Sequence, residues 1–222
     1  MSAPMTSLRW VTLSATLVLT SCQSPPSPAD TLYISAADRL QQDTERARQL
    51  NAEAVALIEA GVLDEAEEVL RRALAADVMY GPAHNSLGKV LYARGHFYRA
   101  AWEFEYAIKL MPHRPEPRNN LGLVFEAVGR LTDAVQQYEE ALAIEPDRPE
   151  LLGNLARARI RRGDRDEEVR RLLSDLVFKD TRPDWVQWAR MTLAGVGGPP
   201  PPPPEDAPVG APEAAGTDQD DM

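Results

Sequence analysis

The chain has 222 residues, of which 44% are hydrophobic and 26% charged, and its formal net charge at pH 7 is −10. Six acidic residues, and no Lys or Arg, lie in residues 199–222. The rest of the chain therefore has 28 acidic and 24 basic side chains, and this near balance argues against general nucleic-acid binding. The single Cys excludes an intramolecular disulfide and a metal site built from several cysteines.

The N-terminus has the composition of a secretory signal. Arg9 precedes eleven uncharged residues, 10–20, which are too few to span a bilayer. The sequence Leu19-Thr20-Ser21-Cys22 at the end of this segment resembles the bacterial lipobox, in which the Cys is lipidated and becomes the new N-terminus after cleavage. We therefore predict a lipoprotein signal peptide in residues 1–21 and lipidation of Cys22. The alternative is an ordinary secretory signal with an incidental Cys.

Lipidation would tie the chain to a membrane. Each buried CH₂ of an acyl chain contributes about 0.8 kcal/mol, and two or more chains hold a protein where one would not. The residue after the Cys is Gln23. In lipoproteins of this kind an Asp there tends to retain the protein at the inner membrane, so the resemblance implies the periplasmic face of the outer membrane. Residues 22–34 form the predicted tether, extended and poorly ordered over residues 23–30 because of their Ser and Pro content.

The middle of the chain repeats every 34 residues. Glycines recur at 61, 95, 129 and 163, and the same step separates the alanines at 66, 100 and 134 and those at 73, 107 and 141. Such a period indicates stacked helix pairs rather than one globular core. Ser35 is expected to cap a long first helix that ends near residue 60. Later helices are predicted at residues 63–76, 82–94, 98–110, 116–128, 132–144, 150–162 and 164–178.

These repeats resemble the tetratricopeptide repeat (TPR) family. The residues that carry the resemblance are Leu87, Gly88, Gly95, Ala100, Phe104, Ala107 and Pro112, followed by Leu121, Gly122, Gly129, Ala134, Tyr138, Ala141 and Pro146. The resemblance implies an all-α solenoid of about four helix-turn-helix repeats in residues 35–194. In the fourth repeat, Glu168 and Asp175 stand where Ala is expected, and its apolar stripe favours a second helix shifted by about one residue.

The two ends of the repeat domain differ from its middle. Residues 183–193, with Trp185, Trp188, Ala189 and Leu193 on one face, are predicted to form a helix that caps the stack. The alternative is that the two Trp side chains anchor a partner. Residues 195–222 are predicted to be a disordered, acidic tail, in which six consecutive prolines form either a stiff spacer or a ligand for an aromatic groove.

By the family pattern, the first helix of each repeat lines a concave groove. Asn side chains there suit the main chain of an extended peptide because an amide both donates and accepts hydrogen bonds. The alternative is that they satisfy neighbouring helix ends. Asn at 85 and 119 occupies places where Lys grips a terminal carboxylate in some TPR proteins, so that clamp is not expected. The predicted groove contains Asn51, Val55, Ile58, Asn85, Lys89, Tyr92, Asn119, Asn120, Leu123, Glu126, Asn154, Arg157 and Arg161.

The fourth repeat is rich in Arg. The cluster is Arg157, Arg159, Arg161, Arg162, Arg165, Arg170 and Arg171. An acidic partner, anionic lipid or the acidic tail would complement this charge, and a solvated helix surface is the alternative.

No sequence motif indicates catalysis, a cofactor or a metal. The three His residues lack the spacing of a metal pair, and no nucleophile elbow or phosphate-binding loop is present. His84 is expected to pack between helices.

The sequence therefore predicts a non-enzymatic, lipid-anchored scaffold of the bacterial cell envelope. It is expected to bind protein partners in its groove and to support assembly of a pilus, a secretion system or outer-membrane machinery. The alternative is an accessory subunit that positions an envelope enzyme or transporter, such as a cell-wall hydrolase.

Overall fold

The computed structural model describes residues 28–195, with side chains from residue 43 onward. The predicted signal peptide, Cys22, residues 23–27 of the tether and the tail beyond residue 195 lie outside the described residues. The chain divides into two compact units, Met1–Ala37 and Asp38–Met222, and the repeats belong to the second.

Nine α-helices and no strands make up the described part of the chain. The all-α prediction is therefore confirmed, and most of the predicted helix ends lie close to the observed ones. In chain order the helices are α1 (Pro28–Glu59), α2 (Leu63–Ala76), α3 (Gly81–Ala93), α4 (Phe97–Leu110), α5 (Pro115–Ala127), α6 (Leu131–Ile144), α7 (Pro149–Arg162), α8 (Glu167–Lys179) and α9 (Pro183–Ala194).

The start of α1 corrects one prediction. The helix begins at Pro28 instead of being capped at Ser35, so residues 28–34, assigned to the tether, are helical. Proline suits the first turn of a helix because its missing N–H would have no intrahelical partner there. Neither Pro nor Gly occurs again before the end of α1, so nothing in the sequence interrupts it.

The start of helix α8 differs in the opposite direction: the helix begins later than predicted, at Glu167 instead of residue 164. Asp166 caps the helix, since its Oδ1 accepts a hydrogen bond from the backbone N–H of Val169 at 3.0 Å. The shifted apolar stripe is confirmed: Val169, Leu172, Leu173 and Leu176 are buried, and Val177 is half-buried.

Two glycines let the paired helices of the second and third repeats cross closely. An ideal Cβ at Gly88 would lie 2.5 Å from the Phe104 ring, and one at Gly122 would lie 2.5 Å from the Tyr138 ring. Real Cβ atoms essentially never approach this closely. The aromatic ring of each second helix therefore lies directly on the backbone of the first.

The turns inside the repeats share one geometry. Gly95 and Gly129 have φ of 75° and 77°, a left-handed conformation that other residues adopt at a cost. The residue after each glycine donates its N–H back across the turn, from His96 to Leu91 at 2.8 Å and from Arg130 to Phe125 at 2.8 Å. This hydrogen-bond pattern is the Schellman ending of a helix, and it fixes the angle at which the second helix leaves.

Helix α9 covers the C-terminal end of the stack. Trp185 and Trp188 are 2% and 3% exposed, and their rings meet edge to face with centroids 5.6 Å apart. A Cβ at Gly153 of α7 would lie 2.8 Å from the Trp185 ring, so the absent side chain makes room for the indole. The capping interpretation fits this burial, whereas Leu193, predicted to lie on the same face, is exposed.

We expect enlargement of a buried small residue to separate the helix pairs. Ala134→Leu places three extra carbons at a fully buried position of α6 and is expected to lower the free energy of unfolding by about 1–3 kcal/mol. The matched control, Ala143→Leu, lies on the exposed side of the same helix and should change it by less than about 0.5 kcal/mol. Urea unfolding followed by circular dichroism measures both. Equal effects of the two changes would contradict this packing.

Candidate partner-binding face

The first helices of successive repeats, α3, α5 and α7, are joined by paired Asn side chains. Asn120 donates its Nδ2–H to Oδ1 of Asn85 at 2.9 Å, and Asn154 donates in the same way to Asn119 at 2.9 Å. Both pairs connect residues 35 apart in sequence, one more than the repeat length. The hydrogen bonds of these amides thus join one repeat to the next. The alternative interpretation, in which the Asn side chains bond to neighbouring helix ends, does not describe these pairs.

Each Asn pair leaves amide groups unused. Among the described residues, the Nδ2 groups of Asn85 and Asn119 have no hydrogen-bond partner, and both side chains are half-buried. The Oδ1 atoms of Asn51 and Asn154 are buried and unpartnered among the described residues. We call the surface formed by Asn85, Lys89, Tyr92, Asn119 and Arg161 the groove face.

A buried ion pair joins the third repeat to the fourth. The Arg157 guanidinium donates to both carboxylate oxygens of Glu126, with two contacts of 2.9 Å, and Arg161 donates to Oε1 at 2.9 Å. Tyr138 donates its hydroxyl to Oε2 at 3.0 Å. The Arg157 guanidinium also lies over the Trp185 ring, 5.5 Å from its centroid, so the same side chain reaches α9.

The surroundings of Glu126 shift two pKa values. Burial alone would raise the pKa of the Glu126 carboxyl, but the hydrogen bonds and positive charge of Arg157 outweigh burial and lower it below its usual value. Burial, followed by the negative charge of Glu126, raises the pKa of Tyr138 well above its usual value. At neutral pH the cluster therefore contains an ionised carboxylate and a neutral phenol.

Three predicted groove residues lie beneath the surface rather than on it. Glu126, Asn154 and Arg157 are buried, because the ion pair and the Asn pair that they form lie between adjacent first helices. The expectation that they present their side chains directly to a partner is corrected accordingly.

Except for Ile58, the other predicted groove residues are more accessible. Arg161 has an exposed side chain whose guanidinium is held by Glu126. Tyr92 is half-buried and meets the Phe97 ring edge to face at 5.6 Å. The half-buried members also include Asn51, Val55, Lys89, Asn120 and Leu123, whereas Ile58 belongs to the core.

The Arg-rich fourth repeat is largely neutralised within the protein. Arg159 pairs with Glu139 and Glu168, at 2.8 and 2.7 Å. Arg162 pairs with Asp164, and Arg165 donates to backbone carbonyls. Among the described residues, the exposed side chains of Arg170 and Arg171 have no ion-pair partner. The cluster is therefore mainly part of the ion-pair structure of the repeat.

Sequence reasoning missed an apolar surface on the second helix of the second repeat. Tyr98 and Trp102 on α4 are 94% and 59% exposed, and Trp102 stacks on Tyr106 with ring centroids 5.6 Å apart. The signal that would have revealed this surface is the spacing of three aromatic residues four apart along one helix, which places them on the same side.

His84 holds α3, α4 and the preceding turn together. Its Nδ1 lies 2.7 Å from Oε2 of Glu103, and its Nε2 lies 2.8 Å from the carbonyl oxygen of Val78. Both neighbours are acceptors, so only the doubly protonated imidazole donates to both. Burial opposes the charge, but the Glu103 hydrogen bond and the Val78 carbonyl outweigh burial and raise the pKa of His84. The prediction that His84 packs between helices is confirmed by its burial.

Two kinds of feature are absent from the described residues. No helix there is both long and apolar enough to cross a bilayer. In the same part of the chain, no three His, Cys, Asp or Glu side chains are grouped so as to hold a metal ion.

The helix pairs, their shared turn and the paired first helices define an α-helical repeat solenoid. Tetratricopeptide repeat models match residues 51–115, 85–149 and 125–187, and these matches together span more than half of the chain. The chain belongs to the tetratricopeptide repeat family.

Solved structures support the same fold. Pseudomonas aeruginosa pilF is 21% identical with a TM-score of 0.60, and the match covers 75% of this chain and 80% of that one. YrrB, described as a TPR protein with an unusual peptide-binding site, is 16% identical with a TM-score of 0.57 and coverage of 72% and 81%. The first TPR of Spaghetti (RPAP3), bound to an HSP90 peptide, is 19% identical with a TM-score of 0.52 and coverage of 55% and 96%. No curated protein matches the chain.

The His84 geometry predicts a pH-dependent stability. Because the pKa of the folded imidazole is raised above its unfolded value, its stabilising effect is full below the unfolded pKa and is lost as pH rises through the folded pKa. The free energy of unfolding should fall as pH rises from about 6.5, the ordinary imidazole pKa, through the raised pKa of the folded state, and His84→Gln should reduce this fall. The control is His96→Gln, at an exposed His. Urea unfolding across this range gives the slopes, and an unchanged slope in His84→Gln would contradict the role of His84.

Proposed function

We propose that this protein is a lipid-anchored scaffold of the bacterial cell envelope that binds extended segments of partner proteins on its groove face. The TPR fold supports the coarser part of this proposal, because it suggests a scaffold for protein–protein interaction. Two structural neighbours, YrrB and the first TPR of RPAP3, are described with a peptide-binding site and a bound peptide.

The unused amide donors of Asn85 and Asn119 carry the proposal. These two residues occupy the same place in successive repeats, 34 residues apart. Neighbouring packed helices are about 8–10 Å apart, and one three-residue turn of a polyproline II segment rises about 9 Å and returns its carbonyl oxygens to the same side. The two donors are therefore suitably spaced for carbonyl oxygens of one extended segment, which they would bind without selecting its side chains.

The other side chains of the groove face favour particular partners. Lys89 and Arg161 are cationic, and Tyr92 offers an aromatic ring. A segment that combines acidic and apolar side chains complements this set.

The envelope location rests on the sequence. Cys22 and the apolar segment before it support lipidation, and Gln23 supports the periplasmic face of the outer membrane. A scaffold held there would concentrate its partners near one membrane, in keeping with a role in assembling a pilus, a secretion channel or outer-membrane machinery.

Asn119→Asp tests the groove face with little structural change. The carboxylate keeps an oxygen that accepts the hydrogen bond of Asn154, but it removes the free N–H donor. We expect the yield of partner crosslinks in intact cells, quantified by mass spectrometry, to fall by about fivefold or more, since a lost hydrogen bond to a bound segment costs about 1 kcal/mol and the added charge repels carbonyl oxygens.

The control for this experiment is Gln136→Glu, which makes the same chemical change at an exposed site on α6. It should leave the crosslinks unchanged. If Asn119→Asp also leaves them unchanged at normal helical content, the groove face is not the binding surface.

Cys22→Ser tests the anchor. Serine lacks the sulfur that accepts the diacylglycerol, so the variant should lose metabolic fatty-acid label and leave the membrane fraction. Ser24→Ala, two residues away, should keep both. Retained label in Cys22→Ser would contradict lipidation at this site, because the chain has no other Cys.

A further inference from the structure

The exposed aromatic surface on α4 consists of Tyr98, Trp102 and Tyr106, which we call the aromatic stripe. Its members are four residues apart, so they follow one side of the helix over a rise of about 12 Å. Tyr106 is half-buried and stacks on Trp102 with planes 9° apart. The exposed side chains of Val78 and Met79 extend this apolar surface beyond the helix, and the Tyr106 hydroxyl lies 3.7 Å from the Met79 sulfur.

The fold does not require aromatic residues at these positions. The equivalent places in the other second helices, 34 residues away or multiples of 34, carry polar side chains throughout. In α2 they are Asp64, Glu68 and Arg72; in α6 they are Thr132, Gln136 and Glu140; for the fourth repeat they are Asp166, Arg170 and Ser174. The aromatic stripe is therefore a property of the second repeat alone, at positions that the other repeats leave to water.

The stripe is held in place by the core beneath it. The His84 ring lies 4.6 Å from the Tyr106 ring, and His84 is itself fixed by Glu103 and by the Val78 carbonyl. A surface that is ordered before binding loses little entropy when a ligand arrives.

The chemistry of the stripe matches a proline-rich segment. Flat ring faces pack against pyrrolidine rings, and the hydroxyl of Tyr98 and the indole N–H of Trp102 are donors. Consecutive prolines have no N–H but present unpaired carbonyl acceptors along a preformed polyproline II helix. The chain itself contains such a segment, the six prolines of residues 199–204, which we call the proline run.

The length and charge of the proline run also fit. Six residues of polyproline II extend about 19 Å, enough to cover the 12 Å stripe. Glu205 and Asp206 follow the prolines directly. Lys109 lies three residues beyond Tyr106 on α4 and is exposed, with no ion-pair partner among the described residues. A run laid along α4 in the direction of the helix brings these opposite charges together.

The length of the connecting chain decides which copy supplies the proline run. Only residues 196–198 separate the described end of the chain at Gly195 from Pro199, and this link reaches at most about 14 Å. Helix α9 stands where the first helix of a fifth repeat would be, and α4 belongs to the second repeat. Three repeat-to-repeat steps of about 8–10 Å each therefore lie between them. The link is too short to bridge them.

We propose that the aromatic stripe is a docking surface for the proline run of a second copy of this chain. Copies then associate head to tail, through α4 of one and the tail of the next. This association uses neither the groove face nor the lipid, so it stands or fails independently of the proposed function.

A peptide titration tests the contact. The probe is a synthetic peptide of residues 197–208, added to the full chain in which the six prolines are replaced by Ser. The indoles of Trp185 and Trp188 are buried and that of Trp102 is exposed, so the fluorescence change on binding should come mainly from Trp102. We therefore expect a saturable change that is largely lost in Trp102→Phe. Binding followed by calorimetry should weaken at least about tenfold in Trp102→Ala, a loss of about 1.4 kcal/mol.

The controls separate docking from general stickiness. Phe178→Ala removes another exposed aromatic side chain, on α8, and should leave the affinity unchanged. Tyr98→Ser removes the most exposed member of the stripe and serves as the second variant if Trp102→Ala loses helical content. No saturable binding, or full affinity in both stripe variants, would overturn the proposal.

Sedimentation of the full chain tests exchange between copies. The unmodified chain should associate more strongly as its concentration rises. Trp102→Ala alone and the Ser-substituted tail alone should both remain monomeric, but their mixture should form heterodimers, since one supplies the tail and the other the stripe. A mixture that stays monomeric while the unmodified chain associates, or an unmodified chain that is monomeric throughout, would contradict docking between copies.

Discussion

The close approach of the two helices in a repeat sets the rest of this structure. At Gly88 and Gly122 the backbone of the first helix lies against the ring of Phe104 or Tyr138, at a distance that excludes even a Cβ. A fixed approach, followed by a turn that ends in a left-handed glycine, gives the second and third repeats the same geometry. Identical geometry in successive repeats is what allows their first helices to share one face.

Polar contacts determine how neighbouring repeats are aligned. Each Asn pair links residues 35 apart, so a first helix displaced along its neighbour would leave buried or half-buried amides unpaired. Between the third and fourth repeats, Glu126 and Arg157 add a buried ion pair. Such a pair is weak evidence for stability because desolvation opposes it, but the loss of either partner leaves an uncompensated charge. Both contacts therefore favour one alignment over all others.

Much of the fold could be predicted from the sequence, because local signals repeat in phase. Gly95, Ala100 and Pro112 mark a turn, a crossing and a helix end, and each acts within a few residues of its own position. The burial of Glu126 could not be predicted in this way, since its partner is 31 residues away and position 126 by itself resembles any acidic residue on a helix. The early start of α1 at Pro28 was missed because a Ser/Pro-rich composition favoured a tether over the helix-starting role of one proline.

The Asn contacts have a further consequence at α9. The next contact in the series would join an acceptor at position 153 to a donor at position 188, but these are Gly153, which has no side-chain carbonyl to accept, and Trp188, whose indole replaces the donor amide. The amide series therefore stops at α7, and the Trp188 indole of α9 occupies the place where a third Asn pair would form. These contacts limit where a further repeat fits. A duplicated third repeat inserted before α7 would find matching amides on both sides, whereas a repeat inserted after α8 would face the Trp188 indole of α9 instead of an amide.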